Sequence, residues 1–90
     1  MAVKVLDIRT PAEVAEGKLE GSIMVDYRDA NFAELICKLD KSADYIMHCR
    51  SGGRVSEAIP LMRELGFTGE LTNAGGLDDA AAITGLPITY

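Results

Sequence analysis

The chain has one histidine and two cysteines in 90 residues. Two cysteines are too few for a disulfide scaffold. The lone histidine, His48, abuts Cys49, so no His, Cys and carboxylate cluster has metal-ligand spacing. No metal or cofactor is expected. Basic charge is scarce as well. Nine Lys and Arg stand against 14 Asp and Glu, a net charge of −5. That leaves no electrostatic footprint for nucleic acid. It matters little for a small anionic substrate if the site itself is positive. Hydrophobic residues are 48% of the chain, enough for a packed interior. No apolar run approaches the roughly 20 residues of a membrane span. Repeats, linkers and low-complexity tracts are absent. G-x-G-x-x-G does not occur, so the nucleotide fingerprint is missing. Met1 to Asp7 lacks a signal-peptide layout and runs straight into a strand-like segment. A reducing cytoplasm is the expected location, because a reactive thiol needs one. Residues 1–90 are expected to form one small domain, near the lower size limit for a single core.

What is present centres on His48-Cys49-Arg50-Ser51-Gly52-Gly53-Arg54-Val55. The apolar run Tyr45-Ile46-Met47 predicts a buried strand leading into it. A helical pattern follows from Val55. One cysteine thus sits where a strand ends and a helix begins. The glycine pair lets the backbone curl and turn its N–H groups inward. The helix start adds partial positive charge, and Arg50 and Arg54 add two full charges. Each favours the thiolate, which is the nucleophile. A ring of inward N–H groups also suits an anion, or a second sulfur carried on the first.

The rest of the chain alternates. Val3, Val5, Leu6 and Ile8 predict a first strand, with Asp7 and Arg9 at its carboxyl end. In open parallel sheets that end faces the ligand crevice. Thr10, Pro11 and Glu13 match a helix N-cap, N1 and capping box, and the short helix ends by Gly17. A second strand is expected over Ser22 to Val25. Asn31 is placed as the cap of an amphipathic helix carrying Phe32, Leu35, Ile36 and Leu39. The third strand ends at His48. The helix after the loop carries Val55, Ala58, Ile59, Met62 and Leu65 on one face and stops at Gly66. Pro60 lies inside it and predicts a kink. A fourth strand covers Glu70 to Thr72, then a Gly75-Gly76 turn, then a short helix from Asp78 to Thr84. This spacing argues for an α/β fold with a parallel sheet.

Cys49 to Arg54 resembles the six-residue active-site loop of rhodanese-type sulfurtransferases. The similarity extends outside the loop, in the family's order. Leu6 to Glu13 resembles its Asp-x-Arg-x-x-x-Glu signature. Glu16 to Ser22 resembles its Gly-His-x-x-Gly-Ala segment, with Lys18 in place of the histidine. Asn73-Ala74-Gly75-Gly76 resembles its late double-glycine turn, and Gly85-Leu86-Pro87 its usual ending. The aromatic residue (often Trp) usual after the double glycine is missing from Leu77 to Ala81. The resemblance implies a three-layer α/β domain, mainly parallel, with helices on both faces. The family's usual leading strand and helix are missing, which makes this a near-minimal version with a shortened N-terminus.

By resemblance Cys49 is the nucleophile. It attacks the outer sulfur of a small anionic donor such as thiosulfate, releases sulfite and becomes a persulfide. A thiol, cyanide or protein acceptor then takes the sulfur. Arg50, Ser51, Gly52, Gly53 and Arg54 are the expected substrate-binding residues: the arginines hold the donor's anionic end, Ser51 either donates a hydrogen bond into the loop or only tolerates the turn, and Gly52 and Gly53 supply curvature. Asp7 and Arg9 form a buried polar support. His48 is expected to point away from the loop, and Cys37 to be structural or incidental. Two other readings stand beside sulfur transfer. Cell-cycle dual-specificity phosphatases and arsenate reductases place such a cysteine loop on this fold, but the phosphatase loop, Cys-x5-Arg, is one residue longer. Non-catalytic binding or regulatory modules also use the fold, though many have lost the cysteine that this chain keeps.

Overall fold

Val5 and Ile46 pack on one side of a sheet, while Leu6 and Met47 pack on the other. A parallel sheet covered on both faces needs this two-sided apolar pattern. The computed structural model describes residues 3–90, so the reading of Met1 and Ala2 lies outside the described residues. The strands are β1 (Val3–Asp7), β2 (Lys18–Leu19), β3 (Ile23–Met24), β4 (Asp44–His48), β5 (Leu71–Asn73) and β6 (Ile88–Thr89). The main sheet has the order β3-β1-β4-β5, and each of its pairings is parallel. In that register Leu6 lies beside Met47, and Asp7 beside His48.

The helices are α1 (Pro11–Val14), α2 (Phe32–Ile36), α3 (Gly53–Glu64) and α4 (Leu77–Thr84). Phe32 and Ile36 of α2 join Val55, Ala58 and Met62 of α3 against Leu6, Ile8 and Met47. Ala80 of α4 packs on the opposite face with Val5, Leu19 and Ala74. The result is the three-layer α/β arrangement, with helices on both faces. Among the described residues no helix is long and apolar enough to cross a membrane.

Local chemistry sets several element ends. Thr10 Oγ1 accepts from the Glu13 N–H at 3.4 Å, and the Glu13 carboxylate accepts from the Thr10 N–H at 3.1 Å. This capping box, with Pro11 at the first position, starts α1. Asn31 does not act as expected. Its side chain makes no capping bond, and its backbone (φ −98°, ψ 18°) lacks the extended form a cap uses. Its own N–H donates instead to Asp29 Oδ1 at 2.8 Å. Helix α3 stays helical through Pro60. Pro60 and Ser56 are both exposed, so water can replace the missing N–H partner of Ser56. One unforeseen feature is the antiparallel β2–β6 pair, which sets Leu19 beside Ile88. Strands of two residues show no alternation to detect.

Candidate active site

Because β1 and β4 are parallel, Asp7 and His48 end side by side at one edge of the sheet. The chain leaves β4 there as Cys49. The Cys49 N–H donates to the Gly75 carbonyl at 3.0 Å, which moors the loop to the double-glycine turn. Gly76 lies so close to the loop that a Cβ would stand 2.6 Å from the Arg50 carbonyl oxygen. Gly52 then turns the chain with φ +94°, a left-handed conformation that favours glycine. Its N–H donates to Cys49 Sγ at 3.1 Å. Gly52 is also the N-cap of α3, so the helix start adjoins the sulfur.

Two opposing effects act on this thiol. Burial is the largest and raises its pKa. N–H groups of Val55, Ser51, Gly52 and Arg54 lower it, and together they win. The sulfur is thus poised toward thiolate although Cys49 is only 1% exposed. A cavity of about 450 Å³ reaches it, lined by Cys49, Arg9, Arg50, Glu13 and Glu16 and by the segment 76–79.

The two loop arginines diverge. Arg50 is 78% exposed and lines the cavity, with its nearest carboxylate, Glu13 Oε2, 4.0 Å away. Arg54 is 14% exposed, and its two amino groups donate to Glu13 Oε1 and Oε2, each at 2.8 Å. The cavity lining does not include Arg54. Its guanidinium fork is filled by Glu13, while its backbone N–H faces the sulfur. Glu13 responds strongly: chiefly through the Arg54 hydrogen bond, its pKa falls from 4.5 to about 2. Ser51 and Gly53 are both exposed. A Cβ on Gly53 would meet nothing within 4 Å, so close approach does not require glycine there.

Beneath the loop, Asp7 is fully buried and accepts from Arg9 Nε and from Arg9 Nη2, the latter at 2.8 Å. Arg9, 7% exposed, also donates to the carbonyls of Glu13 and Gly17. It therefore ties the end of β1 to the last turn of α1 and to the segment that follows it.

The sequence matches the family model of the rhodanese-like domain over residues 1–82. The chain belongs to the rhodanese-like domain family. A sulfurtransferase of Allochromatium vinosum is 33% identical over 86 residues, spanning 96% of this chain and 78% of that one. Thiosulfate sulfurtransferase 16, chloroplastic, of Arabidopsis thaliana is 35% identical over 92 residues, spanning 91% and 76%. Among solved structures, the Rhodanese_3-like domain of an Anabaena sp. protein superposes with a TM-score of 0.81 at 24% identity, covering 99% of this chain and 100% of that one.

In this rhodanese-like domain several residues hold the site through contacts that their sequence positions do not announce. Glu13 is legible as a capping residue and as the last position of the matched signature, and the structure adds that it binds Arg54 through both oxygens. Asn73 was only part of a matched segment. Its Nδ2 donates to the Gly52 carbonyl at 3.0 Å and to Ser56 Oγ at 3.1 Å, and its Oδ1 accepts from the Gly75 N–H at 2.9 Å. It thereby joins β5, the start of α3 and the glycine turn. An asparagine two residues before a glycine pair is the available signal, since Asn side chains bond the backbone N–H two residues on.

His48 is fully buried and does not line the cavity. Its Nε2 lies 3.8 Å from Asp7 Oδ2, and neither ring nitrogen has a hydrogen-bond partner. Burial is the main reason its pKa is lowered, so it stays neutral. Cys37 is half-buried, packs against the core as the C-cap of α2, and lies off the cavity lining. Among the described residues no group of three or more potential metal ligands occurs.

The expected positive surround holds at the sulfur but not at the opening. Glu16, Asp78 and Asp79 line the cavity with Glu13, against Arg9 and Arg50.

Proposed function

We propose that this rhodanese-like domain is a sulfurtransferase that carries sulfane sulfur on Cys49. The observation behind this reading is the buried Cys49 Sγ, poised toward thiolate by loop N–H groups at the end of a small cavity. The Cys49 thiolate attacks the outer sulfur of thiosulfate or a similar donor. The new S–S bond forms as the sulfur–sulfonate bond breaks, and sulfite leaves with the electron pair. The persulfide anion occupies the ring of N–H groups, which stabilise its charge as an oxyanion hole would. Cyanide or a thiolate then attacks the outer sulfur, and the electron pair returns to Sγ.

Arg50 is exposed, makes only a long 4.0 Å contact with Glu13, and can turn to meet the anionic end of the donor. Arg54 closes the loop through Glu13 and acts on the sulfur through its backbone. Gly52 supplies an N–H, and Ser51 and Gly53 complete the curve of the loop. Asp7 and Arg9 hold the floor in place. The test is thiocyanate formation from thiosulfate and cyanide. Wild type and Cys37→Ser should both form it, and Cys49→Ser should not. Activity surviving in Cys49→Ser would overturn the reading.

A further inference from the structure

The opening of the cavity carries a charge that sulfur transfer from a small anion does not call for. Arg9 is cancelled by Asp7, and Glu13 by Arg54. The remaining charged groups of the lining are Arg50, whose nearest carboxylate oxygen is Glu13 Oε2 at 4.0 Å, and Glu16, Asp78 and Asp79. Three carboxylates thus stand against one guanidinium. The start of α4 adds a positive fraction of a charge at Leu77, which does not reverse the sign. Asp79 is held by its bond from the Gly76 N–H at 3.1 Å. Glu16 and Asp78 are exposed. An anion bound at the sulfur meets N–H groups, but any partner reaching the sulfur must first pass a negative lip.

We propose that this lip selects the acceptor: Cys49 hands its sulfur to a thiol that carries positive charge close to its own sulfur. The inference rests on the sulfur-transfer reading above. The step balances without any further reagent. The acceptor thiolate attacks the outer sulfur of the Cys49 persulfide. The new S–S bond forms as the bond to Sγ breaks, and the electron pair returns to Sγ. The acceptor leaves as its persulfide. The nearby positive charge of such a thiol pairs with Glu16 and Asp78, while its thiolate approaches Arg50.

The experiment uses three small thiols of similar size: cysteamine (cationic), 2-mercaptoethanol (neutral) and mercaptoacetate (anionic). The full chain is loaded with thiosulfate, freed of excess and mixed with each thiol, and loss of the persulfide is timed. Wild type is compared with Glu16→Gln/Asp78→Asn. Intrinsic thiol reactivity cancels, because the same thiols meet both proteins. The ratio of cysteamine to mercaptoacetate rates should fall about five- to tenfold in the double variant at low ionic strength. Added salt should shrink the same ratio in wild type, which serves as a second reading free of any mutation. Transfer to all three thiols with a ratio blind to both changes would overturn the acidic-lip selection and leave sulfur transfer standing. A loaded protein that transfers to none of the three thiols would overturn the acceptor selection alone, and a protein that takes up no sulfur from thiosulfate would overturn the sulfur-transfer reading as well.

Discussion

At the scale of single residues, the two loop glycines are not equivalent. Gly52 holds a left-handed backbone, and a Cβ there would stand 3.0 Å from Asn73 Oδ1. Gly52→Ala should therefore cost about 1–3 kcal/mol of stability, by the strain of a non-glycine residue in that region. It should also slow sulfur uptake, since the strained N–H is the one bound to Sγ. Gly53 begins α3 with open space around it, so Gly53→Ala should be neutral or stabilising by up to about 1 kcal/mol. Urea unfolding and thiosulfate kinetics on both variants decide this; equal damage would contradict it. The arginines should separate in the same way. Arg50→Ala should raise the thiosulfate KM with little loss of stability, because Arg50 is exposed. Arg54→Ala strips the half-buried Glu13 of both charge-assisted bonds and should cost about 1.5–3 kcal/mol. Thermal unfolding beside kinetics reads both; an Arg54→Ala protein as stable as wild type would contradict the pairing.

At the scale of elements, the site is a junction of β4, α3 and the turn after β5. Asn73 holds that junction through three hydrogen bonds. Asn73→Ala should let the start of α3 drift from the sulfur and raise the Cys49 thiol pKa. The pH profile of iodoacetamide alkylation checks this, with Cys37→Ser as background. An unshifted profile would show that Asn73 has no hold on the sulfur. Most of the element plan was legible in the sequence, because long apolar alternation and caps carry it. Tyr45 to Met47 marked β4, and Thr10 with Glu13 marked α1. The exceptions share a cause. The β2–β6 pair joins Lys18 to Thr89 and Leu19 to Ile88, far apart in sequence, through two-residue strands, which leave no local periodicity. Cys49 was legible from its loop, but the Glu13–Arg54 fork, 41 positions apart in sequence, was not. Side-chain partners brought together by folding leave no spacing to read.

At the scale of the whole molecule, the floor of the site is also a stability device sensitive to acid. His48 is buried neutral, with its pKa lowered from 6.5 mainly by burial. A lowered folded-state pKa means that its contribution is full above 6.5 and is lost as pH falls below that value. Glu13, lowered from 4.5 to about 2, contributes fully above 4.5 and loses that contribution as pH falls toward 2. Melting temperature should therefore decline in two stages on acidification. His48→Gln should flatten the first stage and Glu13→Gln the second. A wild-type melting temperature constant from pH 7 to pH 3 would contradict both assignments. The central claim, however, is covalent: the fold serves to present one sulfur that accepts another. Intact mass after exposure to thiosulfate tests it most directly. One added sulfur, about 32 Da, should appear on wild type and on Cys37→Ser, vanish with cyanide and be absent from Cys49→Ser, as nucleophilic catalysis by a single thiolate requires. An unmodified wild-type mass, or an adduct that persists in Cys49→Ser, would contradict the account.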